Sequence, residues 1–124
     1  METFTIAGTR QTPEVLFNFN EGVFSITGRS FSEDSLEFYS PVFASIKTYF
    51  ENPRPSTTFE FKFEYLNSSS FKLVIDLLIM IKKMNPAGNK LSVKWVYEAD
   101  DDDMLTLGEE AARVTGLAFD YLPY

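Results

Sequence analysis

From Thr58 to Leu66 the chain alternates. Phe59, Phe61, Phe63 and Tyr65 fall on one side of an extended backbone, and Thr58, Glu60, Lys62 and Glu64 on the other. Aromatics opposed to charges at period two predict a strand in a sheet covered on one face only. Leu91, Val93, Trp95 and Tyr97 repeat the pattern, with Ser92 and Lys94 opposed. This argues against a doubly wound sheet, whose strands would be apolar on both faces. Upstream, Val15, Phe17 and Phe19 alternate, then Phe24 and Ile26. Asn20-Glu21-Gly22 between them predicts a hairpin turn ending on glycine.

Between the two aromatic strands the helical period takes over, from Ser69 to Met84. Phe71, Val74, Ile75 and Leu78 form one apolar stripe, Leu73, Leu77, Met80 and Met84 widen it, and Lys72, Asp76 and Lys83 mark a narrow polar seam. Strand, helix and strand in this order predict a right-handed crossover that pairs its strands in parallel. Across Phe31 to Phe50 the spacing predicts a short first turn capped by Ser32, with Phe31 and Leu36 as a hydrophobic staple. A main helix follows, capped by Ser40 with Pro41 at its first position, and turns Val42, Phe43, Ile46, Tyr49 and Phe50 to the core. A last helix is predicted from about Asp102 to Thr115, closed by Gly116, with a short strand in "LAFDYLPY". The sum is an α+β fold in a single domain spanning residues 1–124, with a small mixed sheet and its helices packed on one face.

Composition narrows the chemistry. Cysteine and histidine are both absent. Thiol catalysis, disulfides, serine–histidine nucleophile systems and His-containing metal sites are thereby excluded. This weakens enzymes generally without excluding an all-carboxylate site, and the expectation is a non-enzyme with no cofactor. The net charge of -7 is local. Seven of the 18 acids lie between Glu98 and Glu110 with no base among them, which leaves 11 acids against 11 bases elsewhere. No basic stripe is present to release counterions from nucleic acid. No apolar run approaches the roughly 20 residues needed to span a bilayer, and "METFTIAGTRQTPE" lacks the basic head and apolar core of a signal peptide. A cytoplasmic protein with protein partners, binding neither nucleic acid nor membrane, is the expectation.

Two segments invite chemistry. Four consecutive aspartates, Asp100 to Asp103, suggest a divalent-cation site, but adjacent carboxylates splay apart and match no loop that converges them. The plainer reading is a helix start whose acids complement the macrodipole. The second segment is Tyr65-Leu66-Asn67-Ser68-Ser69-Ser70. Ser68 or Ser69 suits a helix cap, and equally a helix N-terminus with unsatisfied N–H groups suits a phosphoryl group. Spacing leaves both readings open.

The ordered set of motifs resembles the SiaC family of bacterial regulatory phosphoproteins. It comprises Thr12-Pro13-Glu14, Ile26-Thr27-Gly28-Arg29-Ser30, Glu37-Phe38-Tyr39 with Pro41, the serine motif, and Trp95-Val96-Tyr97-Glu98 with the acidic run and Gly108-Glu109-Glu110. The resemblance implies a STAS-like fold, as in anti-sigma-factor antagonists, and a partner-switching role. It implies Ser68 as the phosphoacceptor, where threonine is commoner, with Tyr65, Leu66, Asn67, Ser69 and Ser70 as the surrounding motif and docking residues. Ser32 stands where the family has proline. The implied partners are a cognate serine/threonine kinase, a metal-dependent serine/threonine phosphatase, and a target, such as a diguanylate cyclase, activated by the unphosphorylated form. With Ser68 free, the strand end and the apolar helix behind it are expected to offer a near-neutral docking surface, which a phosphoryl dianion would disrupt. An anti-sigma-factor antagonist, a divalent-metal enzyme and a plain structural interaction domain are the competing readings.

Overall fold

A computed structural model describes residues 2–124. The strands β1 (Thr3–Ile6), β2 (Glu14–Asn18), β3 (Val23–Ser30), β4 (Ser56–Leu66), β5 (Lys90–Tyr97) and β6 (Phe119–Pro123) form one sheet in sequence order. The first two neighbour pairs are antiparallel and the last three parallel. Helices α1 (Ser35–Phe50), α2 (Ser68–Met84) and α3 (Asp102–Thr115) are the three crossovers between parallel neighbours. Right-handed crossovers that step one strand at a time in one direction must place every helix on the same face. The expected one-sided α+β sandwich is therefore what forms.

Its core lies between that face and the helices. Val15, Phe17, Phe24, Ile26, Phe59, Phe61, Phe63, Val93 and Trp95 come from the sheet, and Tyr39, Val42, Ile46, Val74, Leu77, Leu78 and Ile81 from α1 and α2. Trp95 anchors α3: its indole Nε1–H donates to the Met104 carbonyl at 2.9 Å. A Cβ at Gly108 would sit 2.5 Å from the Trp95 ring, so glycine is what lets the helix lie on the indole.

Two expectations are corrected and one strand is added. First, α1 is a single helix. Asp34, not Ser32, is its cap, accepting the Glu37 N–H at 3.0 Å. Ser40 caps nothing and donates to the Leu36 carbonyl at 2.7 Å. Pro41 lies inside the helix and forgoes one backbone bond. Continuity keeps Tyr39 and Val42, one on each side of the proline, both fully buried, and that burial outweighs one bond. Leu36 is 63% exposed and Phe31 packs edge-on against Tyr65, so no staple forms.

Second, the alternation of β4 breaks at its end. Gly28 pairs with Phe63 but Arg29 pairs with Tyr65, so Glu64 is the extra residue of a bulge. Tyr65 is thereby re-aimed to 53% exposure and Leu66 takes the buried face. The added strand is β1, too short for the hydrophobic pattern to mark. It pairs antiparallel with β2, and Phe4 packs on Phe17.

Candidate functional site

Because all three crossovers run the same way, the N-termini of α1, α2 and α3 share the edge where the parallel strands end. The serine motif sits at the middle one. Its cap is Asn67, whose Oδ1 accepts the Ser70 N–H at 2.9 Å. Neither Ser68 nor Ser69 caps the helix, because a cap side chain must stand one residue before the first turn and Asn67 already does. The Asn67 N–H is taken by the Ser30 carbonyl at 3.0 Å and the Phe71 N–H by the Asn67 carbonyl at 2.9 Å. The amides of Ser68 and Ser69 have no hydrogen-bond partner among the described residues and lie at the positive end of the helix dipole.

The three serines have three different fates. Ser70 is fully buried. Its Oγ accepts from Ser30 at 2.8 Å and meets Ser35 Oγ at 3.2 Å. Ser69 is exposed, but its Oγ donates to Asn67 Oδ1 at 3.2 Å and meets Ser35 Oγ at 3.0 Å. Ser68 is exposed, and among the described residues its hydroxyl has no partner.

Proton accounting orders the inner hydroxyls into one chain. Burial pushes the Tyr39 phenol up to about 12, against a smaller lowering by the bond to Ser30, so it stays a donor. Since Ser30 donates to Ser70, Tyr39 must donate to Ser30 across their 2.8 Å contact. Ser69 gives its proton to Asn67, so Ser35 divides its own between the Ser32 carbonyl at 3.2 Å and Ser69 Oγ at 3.0 Å, and Ser70 donates to Ser35. The chain stitches the first turn of α2 to β3 and to α1. Ser30, Ser35 and Tyr39 were absent from the sequence reading of the site. Their separations from Ser70 along the chain, up to 40 residues, leave no local signal.

Electrostatics at this edge differ from the near-neutral expectation. Strand ends and helix starts bring Glu33, Asp34, Glu37, Glu64, Glu98 and Asp100 to Asp103 to it. Glu98, Glu64 and Asp101 surround Tyr124 closely enough to raise its phenol, after burial, above the usual range. Arg29 pairs with Glu64 at 3.2 Å in an exposed bridge. Asp101 caps α3 by accepting the Met104 N–H at 3.0 Å, with Asp102 and Asp103 in the first turn. Among the described residues no group of carboxylates is placed to hold a metal ion. In contrast to α3, the first turn of α2 carries no acid.

The match to the family of SiaC regulatory phosphoproteins runs over residues 6–124. The chain belongs to the SiaC family. A Pseudomonas aeruginosa protein is 26% identical to it over 110 residues, covering 89% of this chain and 87% of its own length. The fold is similar to that of apo-SiaC from Pseudomonas aeruginosa, at 25% identity and a TM-score of 0.87, with 98% of this chain and 99% of that one covered. It is equally similar to SiaC in the crystal structure with the diguanylate cyclase SiaD, whose activator that SiaC is (24% identity, TM-score 0.89, 98% and 99% covered). Among the described residues, no helix of this SiaC-family chain is long and apolar enough to cross a membrane.

Proposed function

We propose that the chain is a non-enzymatic signalling adaptor switched by reversible phosphorylation of Ser68. Its unphosphorylated form binds and activates a target protein, a diguanylate cyclase by analogy with the SiaC relative that activates SiaD. A cognate serine/threonine kinase loads the site and a metal-dependent serine/threonine phosphatase clears it.

One observation carries this reading. Of the three serines, Ser68 alone combines exposure with an unengaged hydroxyl, and it does so at a helix N-terminus whose outer amides are open and whose first turn holds no acid. A phosphoryl group there meets N–H donors and the helix dipole, with Lys72 one turn further along the same face. The edge as a whole is already acidic, so two more charges alter its long-range field little. The effect is local: a partner seated over Ser68 and the exposed Tyr65 must desolvate a dianion, which costs several kcal/mol unless it supplies a cation.

The test is a binding measurement. A diguanylate cyclase from the same cells is titrated with unphosphorylated and with Ser68-phosphorylated protein. Affinity is expected to fall at least tenfold on phosphorylation, with loss of cyclase activation. Equal affinity and equal activation by both forms would refute the switch.

A further inference from the structure

Beside the acceptor stands a second serine that is equally exposed yet held. Ser69 follows Ser68 in the first turn of α2, outside the core. Its hydroxyl proton is committed to Asn67 Oδ1 at 3.2 Å, and its oxygen lies 3.0 Å from Ser35 Oγ on the neighbouring helix. Ser35 is nearly buried and is fixed in turn by the Ser32 carbonyl and by Ser70. Ser69 Oγ is therefore held between α1 and the cap, while Ser68 Oγ has no partner among the described residues.

We infer that Ser35 is a specificity-determining residue for the modification: together with Asn67 it masks Ser69, a latent second acceptor, and so directs phosphoryl transfer to Ser68. This inference rests on Ser68 being the regulatory acceptor. In the transfer, the serine Oγ–P bond forms as the γ-phosphoryl group leaves a nucleoside triphosphate, the diphosphate departs, and the hydroxyl proton passes to a base of the kinase. For Ser68 the oxygen starts free. For Ser69 the same step requires rotating the side chain out of two hydrogen bonds. Each such bond is worth about 1 kcal/mol, or roughly fivefold in population of the reactive rotamer. Ser70 is excluded on simpler grounds, because it is fully buried. Ser35 touches neither the nucleotide nor the reacting atoms of Ser68 and acts only through Ser69, as a positioning residue.

The experiment maps phosphate at Ser68 and Ser69 by fragmentation mass spectrometry on protein purified from its own cells. Wild type, Ser68→Ala, Ser68→Ala/Ser35→Ala and Ser68→Ala/Ser35→Cys are compared. The cysteine variant keeps the packing volume, and thermal melts of both double variants confirm folding. Phosphate is expected on Ser68 in wild type and only at a low level on Ser69 in Ser68→Ala. In both double variants Ser69 phosphate is expected to rise at least fivefold above the single variant. Ser69 phosphate in Ser68→Ala equal to that of the double variants would overturn the masking, as would its absence from the folded double variants. Wild type with no phosphate on Ser68 would instead remove the proposed function itself, and the inference with it.

Discussion

Helices α2 and α3 begin at the same edge of the sheet, one strand apart, and their first turns are built in opposite ways. The start of α3 is capped by Asp101 and followed by Asp102 and Asp103. The start of α2 is capped by a neutral Asn67 and followed by three serines, with no acid in the turn. A helix N-terminus carries the equivalent of about half a positive charge. At α3 that charge is permanently met by carboxylates. At α2 it is left unmet, on an edge otherwise crowded with acids. The two starts show that one sheet edge can hold both a helix dipole met by acids and one left open, and the missing acid at α2 is what the proposed phosphorylation of Ser68 would use.

The two starts are also fastened differently, and breaking each fastening tests the contrast. The largest effect is expected from Gly108→Ala, which drives a Cβ to 2.5 Å from the Trp95 ring beneath α3. Overpacking of this kind costs up to about 3 kcal/mol, and urea denaturation should read it. Hydrogen exchange should show the loosening concentrated at α3 while the first turn of α2 keeps its protection.

The α2 side should fail in alkali. The Tyr39 phenol is raised from 10.0 to about 12 in the folded protein. A raised folded value means that its contribution is whole below the unfolded value and is lost as pH rises through the folded one. Stability should therefore decline between about pH 10 and 12, by about 3 kcal/mol for a shift of this size. Trp95, which holds α3, does not titrate. Tyr39→Phe should flatten this decline, as denaturation midpoints across that range would show.

Smaller and nearly equal effects are expected from the caps. Asn67→Ala and Asp101→Ala each remove one bond to a backbone N–H, at 2.9 and 3.0 Å, for about 1 kcal/mol apiece. Salt separates them: the Asp101 variant also loses a charge–dipole interaction that 1 M NaCl already screens, so its cost should shrink in salt while that of Asn67→Ala persists. The smallest effect is Ser68→Asp, expected to stabilise by about 0.5 kcal/mol because it supplies the charge the α2 start lacks. A destabilising Ser68→Asp would mean that the neighbouring carboxylates outweigh the dipole.

Much of this arrangement was legible in the chain. The period-two aromatics of β4 and β5 announced a one-sided sheet, and the helical stripe between them announced the crossover. Asp102 to Thr115 with Gly116 marked α3 to the residue, since cap acids and a left-handed glycine are local signals. Where the reading went astray, distant partners had decided the outcome. Pro41 marks a helix start in most local contexts, yet here buried neighbours on both sides carry the helix through it. Tyr65 continued the alternation on paper, but the bulge against Gly28 and Arg29 turned it outward. Thr3 to Ile6 was too short to stand out, and becomes a strand through pairing with β2. At the site, the motif around Ser68 was visible, but local spacing did not choose between Ser68 and Ser69 or between a cap and an acceptor. Ser30, Ser35 and Tyr39, which tell them apart, arrive from elsewhere in the chain.

Whether Ser68 carries a regulatory phosphoryl group is read out by site mapping. Wild-type protein and Ser68→Ala are purified from their own cells across growth conditions and examined by intact mass and fragmentation. A fraction of wild type is expected to be one phosphoryl group heavier, with the group on Ser68, and no such fraction is expected in the variant. Wild type without phosphate on Ser68 under every condition would contradict this expectation, and the open start of α2 would then be a cap and nothing more.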